Sequence, residues 1–149
     1  MTNIGTLGEE LVGRWLELHN YRLLKQNWRS RWGEIDIIAR EKNNNQIAFV
    51  EVKTRSANNW DRDGLLAVDA TKQAKIIQTA SWFLAKHPRW AESPCRFDVA
   101  VVSCKNYSPP GQEKIPIKWS SVSKIEIGQP VIIEEYQLTI KDYLISAFD

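Results

Sequence analysis

The chain has 149 residues, 43% of them hydrophobic and 26% charged, with a formal net charge of +2. That length supports a single core burying roughly two-thirds of the unfolded surface, so neither disulfides nor a structural metal is required for folding. No apolar run approaches the roughly eighteen residues of a membrane span, no secretory leader pattern opens the chain, and the small net charge does not by itself announce a nucleic-acid binder. A cytoplasmic protein with one domain over residues 1–149 is the expectation.

The predicted elements begin with a helix over Leu7 to Leu18, where Leu7, Leu11, Trp15 and Leu18 form one apolar stripe. Thr6 and Glu9 have capping-box spacing, and Asn20 can end the helix in the left-handed conformation. YRLLKQNW reads as a strand, followed by a hairpin of two strands about an Asn-rich turn. A long connection, SANNWDRDGLLAVDA, reads as a flexible loop. TKQAKIIQTASWFLAKH forms a second amphipathic helix, with Ala74, Ile77, Ser81 and Leu84 on one face and Lys72, Lys75, Thr79 and Lys86 on another.

CRFDVAVVSC is a strand apolar enough to be buried on both faces. Its two cysteines lie about 30 Å apart at ~3.3 Å per residue, too far to pair. With His19 and His87 as the sole histidines and no paired Cys motif, a zinc site is not expected. KNYSPPGQEKIP reads as a loop, the following segment as two short strands about a Gly-Gln-Pro turn, and TIKDYLISAF as a final helix. The order αβββαβ predicts an α/β fold with a mixed central sheet flanked by helices.

The hairpin GEIDIIAREKNNNQIAFVEVKTR carries the chemistry. Alternation places Glu34, Asp36 and Ile38 on one face, with Ile35, Ile37 and Ala39 on the other. A turn centred on Asn43 and Asn44 pairs Glu41 with Gln46 and, in the same register, Asp36 with Glu51 and Glu34 with Lys53. Two carboxylates ~5 Å apart repel by roughly 3 kcal/mol at an effective dielectric of 20, and a hard cation such as Mg²⁺ reverses that sign. Lys53 can hold a water or offset charge on a phosphoryl group. The alternative is a solvated face on which Lys53 offsets the two acids.

These residues, GEIDIIA and FVEVKTR with an early GEE and a later RFDVAVV, resemble the YraN-like family of bacterial proteins, itself similar to the restriction-endonuclease-like superfamily and to archaeal Holliday-junction resolvases. The resemblance spans about Gly8 to Val102. It implies the restriction-endonuclease-like αβββαβ core and a Mg²⁺-dependent endonuclease motif, with Mn²⁺ as substitute, matched by Asp36, Glu51 and Lys53. Asp36 and Glu51 would be metal ligands, joined by Glu9 unless that carboxylate caps its own helix. Ile35 stands where the superfamily often has proline. From Lys105 to Gln129 the match is poor, so that stretch reads as a variable insertion.

Trp28 to Trp32 mixes aromatics and guanidiniums, a combination suited equally to phosphate contact with base stacking and to packing at a strand end. Arg29, Arg31 and Arg55 are candidate nucleic-acid contacts. Lys72 matches a basic family position and is either a phosphate contact or a solvated lysine. Arg96 and Asp98 read as a structural pair. The functional expectation is an endonuclease acting on structured DNA, with a homodimer implied by a resolvase-like activity. The alternatives are an inactive nucleic-acid-binding module of the same fold and a protein-interaction domain.

Overall fold

In the computed structural model, which describes residues 3–56, 68–107 and 119–149, the first two-thirds of the chain follow the predicted order. They run α1 (Ile4–Leu18), β1 (Tyr21–Ser30), β2 (Gly33–Glu41), β3 (Ile47–Ser56), α2 (Ala70–Lys86) and β4 (Cys95–Asn106). Two strands follow, β5 (Val131–Ile133) and β6 (Tyr136–Phe148). Among the described residues the strands make one six-stranded sheet in the order β1-β2-β3-β4-β6-β5. Only β3 and β4 pair in parallel, and α2 lies on the crossover that a parallel pair requires. The fold is α/β with the expected αβββαβ core.

The period-two pattern of the central strands sorts their side chains into two core layers. On one face Leu11, Val12 and Leu16 of α1 cluster with Ile37, Ala39, Val50 and Val102. On the other, Ile76, Ala80 and Phe83 of α2 cluster with Ile38, Phe49, Val99 and Val101. Strand β4 is buried on both faces, which explains its unbroken apolar run. Cys95 and Cys104 are both free, as their separation along this strand demands.

Four expectations are corrected. Helix α1 starts earlier than predicted: Asn3 is its cap, accepting from Gly5 N at 2.8 Å, so Glu9 lies beyond the first turn and is not a capping carboxylate. The buried stripe of α2 is Ile76, Thr79, Ala80 and Phe83, whereas Ala74 and Ser81 are exposed. Phe83 sets that rotation, because it is the large residue that fits under the sheet among Trp28, Phe49 and Trp90.

The third correction is at the C-terminus, where TIKDYLISAF is strand and not helix. Leu138 and Ile140 enter the α1-side core while the backbone closes the open edge of β4, pairing Val102 with Ile140 and Cys104 with Leu138. Of the two short strands expected before it, β5 forms. The SKIEI segment is irregular, and its Ile125 enters the core. Gly128, at φ 87°, does make the predicted turn.

The fourth correction lies in β2. Ile35 packs on the α2 side, apart from Ile37 and Ala39, so alternation breaks at Asp36. Across from it on β1, Asn27 lies between the paired Gln26 and Trp28 and takes a left-handed φ of 51°. Residues 57–67 of the connection after Ser56 and residues 108–118 of the stretch around 105–129 fall outside the described residues. No helix among the described residues is long and apolar enough to cross a membrane.

Candidate functional site

The β2–β3 hairpin has the register read from its sequence, with Ile37 opposite Val50 and Arg40 opposite Ile47. Glu41 N donates to Gln46 O at 2.9 Å, closing the turn, and Asn45 takes φ 58° within it. One step beyond Ile37, the Asp36 side chain turns back to the neighbouring strand, and its Oδ2 accepts the Val52 N–H at 2.8 Å. The ladder stops at Ile37–Val50, so neither the expected Asp36–Glu51 pairing nor the expected Glu34–Lys53 pairing forms in it. Glu34 lies opposite Arg29 of β1 instead and accepts from its Nε at 3.1 Å.

Helix α1 brings Glu9 to the same place. Its close approach depends on Gly8: a Cβ there would fall 1.9 Å from Thr54 Oγ1 of β3. With its amide nitrogen turned toward the acids, Asn27 donates to Glu34 Oε1 at 2.6 Å and Glu9 Oε2 at 3.2 Å. The result is a cluster in which carboxylate oxygens of Glu9, Glu34 and Asp36 all lie within 4.8 Å of one another. Glu51, buried at 7% exposure, adjoins it and is ion-paired with Lys72 Nζ from the first turn of α2.

The electrostatics follow from this crowding. Burial, then the charge of Glu51, push the Asp36 carboxyl up to about 8, and its hydrogen bond to Val52 N only partly opposes them. In its protonated form Asp36 has one O–H to offer to either of the neighbouring Glu51 and Glu9 carboxylates. Glu9 is also raised, by burial and by the charges of Glu34 and Glu51, against the hydrogen bonds from Asp36 and Asn27. Burial lowers Lys53, helped by the cations Lys72 and Arg55. Burial would lower Lys72 as well, but the bond to Glu51 and its charge outweigh it and raise the group.

The structure thus brings Glu9 and Asp36 together, with Glu51 adjoining them and Lys53 within reach of the Glu51 charge. Glu34 was missed as a cluster member, although its place two residues before Asp36 was the available signal. Asn27 had no sequence signal, because its role depends on a left-handed turn inside a strand. Arg29 is exposed and tied to Glu34. Arg31 lies over the Trp32 ring at 4.5 Å, and Arg55 is exposed, its Nη1 donating to Thr54 O at 3.0 Å. Lys72 is not a plain solvated lysine, since it pairs with Glu51.

The hairpin's other end holds a second charged cluster. Arg96 Nε donates to both Asp98 carboxylate oxygens, at 3.1 and 3.0 Å. Its Nη1 reaches Glu41 Oε2 at 3.1 Å and Gln46 Oε1 at 2.9 Å, and its Nη2 bonds Tyr21 Oη. Asp98, fully buried, also accepts from Tyr143 Oη at 2.6 Å and Ser146 N at 3.0 Å. Arg96 and Asp98 are the structural pair anticipated from their positions.

Gly8, the GEID acids and the first part of β4 are contained in residues 8–102, the stretch that matches the uncharacterised protein family UPF0102. The chain belongs to that family. A UPF0102 protein of Synechocystis sp. is 47% identical over 149 residues, 99% of either chain. One of Acaryochloris marina is 44% identical over 153 residues, covering 97% of this chain and 89% of its own. A third, of Thermosynechococcus vestitus, is 50% identical over 102 residues, 68% of this chain and 82% of its own. The similarity to UPF0102 proteins thus continues past Val102 into the C-terminal strands.

Proposed function

We propose that this UPF0102 protein is a cytoplasmic, Mg²⁺-dependent endonuclease acting on structured DNA, with the acid cluster at the open end of the β2–β3 hairpin as its centre. The observation that carries the reading is the convergence of Glu9, Glu34 and Asp36 within 4.8 Å beside buried Glu51. Carboxylate oxygens alone are a hard donor set, the kind Mg²⁺ and Mn²⁺ take, and without a cation their mutual repulsion costs stability. Asp36 and Glu51, with Glu9 and Glu34, would hold the ion. When bound, it would polarise a phosphodiester and make water a stronger nucleophile at neutral pH.

The chain's own groups do the rest. Asn27 holds Glu9 and Glu34 in place by donating to both. Lys53, two residues from Glu51 along β3, orients water or offsets the charge that grows on the phosphate. Lys72 steadies Glu51 and, being half-exposed, can turn to a phosphate when substrate arrives. Arg29, Arg31 and Arg55 add positive charge around the acids for the nucleic-acid backbone. A homodimer, read as a light-scattering mass of two chains, is expected if the substrate has two strands to cut.

The test is cleavage of branched, nicked, single-stranded and duplex DNA with Mg²⁺ or Mn²⁺, beside Asp36→Ala. Loss of activity by about a hundredfold or more is expected, as for a group that holds a catalytic ion. Cleavage by the variant at the wild-type rate would exclude this site. The Lys72–Glu51 ion pair favours a second reading, a binding module that no longer cuts, because it gives Glu51 a partner without a cation. Salt-sensitive DNA binding with no turnover and no dependence on Mg²⁺ distinguishes it.

A further inference from the structure

Most tryptophans in the described residues are absorbed by packing. Trp28 and Trp90 lie against Phe83 at 5.6 and 5.8 Å, and Trp15 against Tyr143 at 4.8 Å. Trp32 and Trp82 differ. They meet each other edge-on, centroids 5.8 Å apart and planes inclined by 67°, and Trp82 remains 41% exposed. Between them opens an apolar cleft of about 300 Å³, completed by Ile77, Gln78, Ser81 and Ala85 of α2. Arg31 lies 4.5 Å over the Trp32 ring and Lys86 lies 4.8 Å over that of Trp82, so a cation flanks each wall.

The cleft is held open by the fold. Trp32 sits in the turn between β1 and β2, and its N–H donates to Ser30 Oγ at 3.1 Å. Ser30 Oγ is in turn bonded at 3.1 Å to Thr79 Oγ1, a fully buried hydroxyl of α2. That latch fixes the turn against the helix. Trp32 precedes Glu34 by two residues, so the cleft lies at the same end of β2 as the acid cluster, on the α2 side of the sheet.

We propose that this cleft stacks one unpaired nucleobase of a single-stranded segment, with Arg31 and Lys86 contacting the phosphates on either side of it. The exposed Trp82 indole suits any base, with Trp32 bracing it edge-on, the Gln78 amide and Ser81 hydroxyl offer hydrogen bonds to the base edge, and the flanking cations complement a phosphate backbone. An apolar peptide would leave both cations without complementary charge. The inference rests on the nucleic-acid reading and deepens it: the preferred substrate carries a single-stranded segment with an unpaired base.

The experiment is fluorescence anisotropy in EDTA, so that no cleavage occurs, with a short labelled oligothymidine and a strand of equal length built from abasic residues. Wild-type protein is expected to bind the base-bearing strand about tenfold more tightly. Trp82→Ala brings that affinity down to the abasic level without changing the abasic one, and Trp82→Phe restores most of the difference. Because Trp82 is exposed, the variants keep the fold, checked by circular dichroism melts. Lys86→Ala weakens both strands alike and reduces the salt slope by about 0.7.

Equal wild-type affinity for the two strands, or no binding of either, would overturn the cleft and leave the nuclease reading to the cleavage assay. Cleavage by Asp36→Ala would remove the metal centre and leave the cleft untouched. A mass of two chains that falls to one in Trp82→Ala would show a contact between copies and overturn the proposal.

Discussion

Two charged clusters sit at opposite ends of one hairpin, and they are built on opposite principles. At the turn end, Arg96, Asp98, Glu41, Gln46, Tyr21, Tyr143 and Ser146 satisfy one another: burial works against the Arg96 charge, and Asp98 outweighs it, so the guanidinium is held charged more firmly than usual. At the open end, Glu9, Glu34, Asp36 and Glu51 crowd like charges together, and Asp36 keeps its proton up to about pH 8. Burial of charge is common to both; closure of the network is not. A satisfied cluster is what a fold keeps for its own sake, and an unbalanced one marks where an outside charge belongs.

The sharpest way to break this comparison is to unbalance the balanced end. Arg96→Ala leaves Asp98 buried without its cation and is expected to cost about 3–5 kcal/mol in urea denaturation. Activity per folded molecule should be unchanged. If the variant unfolds at the wild-type midpoint, the network is not the structural lock described here.

Next in size is the contact that brings α1 to the acid end. Gly8→Ala forces a methyl to within 1.9 Å of Thr54 Oγ1, so helix and strand must part, at about 2 kcal/mol of stability. If the acids hold a cation as proposed, moving Glu9 away is expected to weaken Mn²⁺ binding in the same variant. Adding Thr54→Ala, which removes the hydroxyl, should recover most of both, as read by thermal melts and titration calorimetry.

The smallest effect has the opposite sign. In the absence of divalent ions the folded state holds a proton on Asp36 that the unfolded chain loses near its ordinary value of 3.8. The native form therefore binds more protons between about 4 and 8, and stability falls as pH rises through that window. Asp36→Asn removes the cost and keeps an oxygen for Val52 N. It is expected to be more stable than wild type by roughly 1–2 kcal/mol at pH 8, with the gain fading toward pH 4. Mg²⁺ should raise the melting temperature of wild type at pH 8 and leave the variant unmoved. Equal stability of the two proteins at every pH would mean the acids do not repel.

Much of the core was legible because its signals are local. The α1 stripe at Leu7 and Leu11, the Asn20 stop at φ 73°, the register about Asn43–Asn44 and the doubly buried run of β4 each follow from periodicity or turn chemistry. The failures have one cause, a partner distant in sequence. TIKDYLISAF carries no clean period, and the open edge of β4 decided in favour of strand. The face of α2 was set by Phe83 fitting under the sheet, and the side of Ile35 by a break in alternation opposite Asn27.

The acids divide the same way. Sequence alone determined that Asp36 and Glu51 lie at the same end of the hairpin, because its register is fixed by its turn, written in adjacent residues; the ladder stops one pair short of them, at Ile37–Val50. It also determined the family, through residues 8–102. Only the tertiary structure decided that Glu9 serves the cluster and not a helix cap, that Glu34 belongs with it, and that Lys72 reaches Glu51. Those choices depend on how closely two helices approach the sheet. That distance is set by packing at Gly8 and Phe83, between residues far apart in the chain.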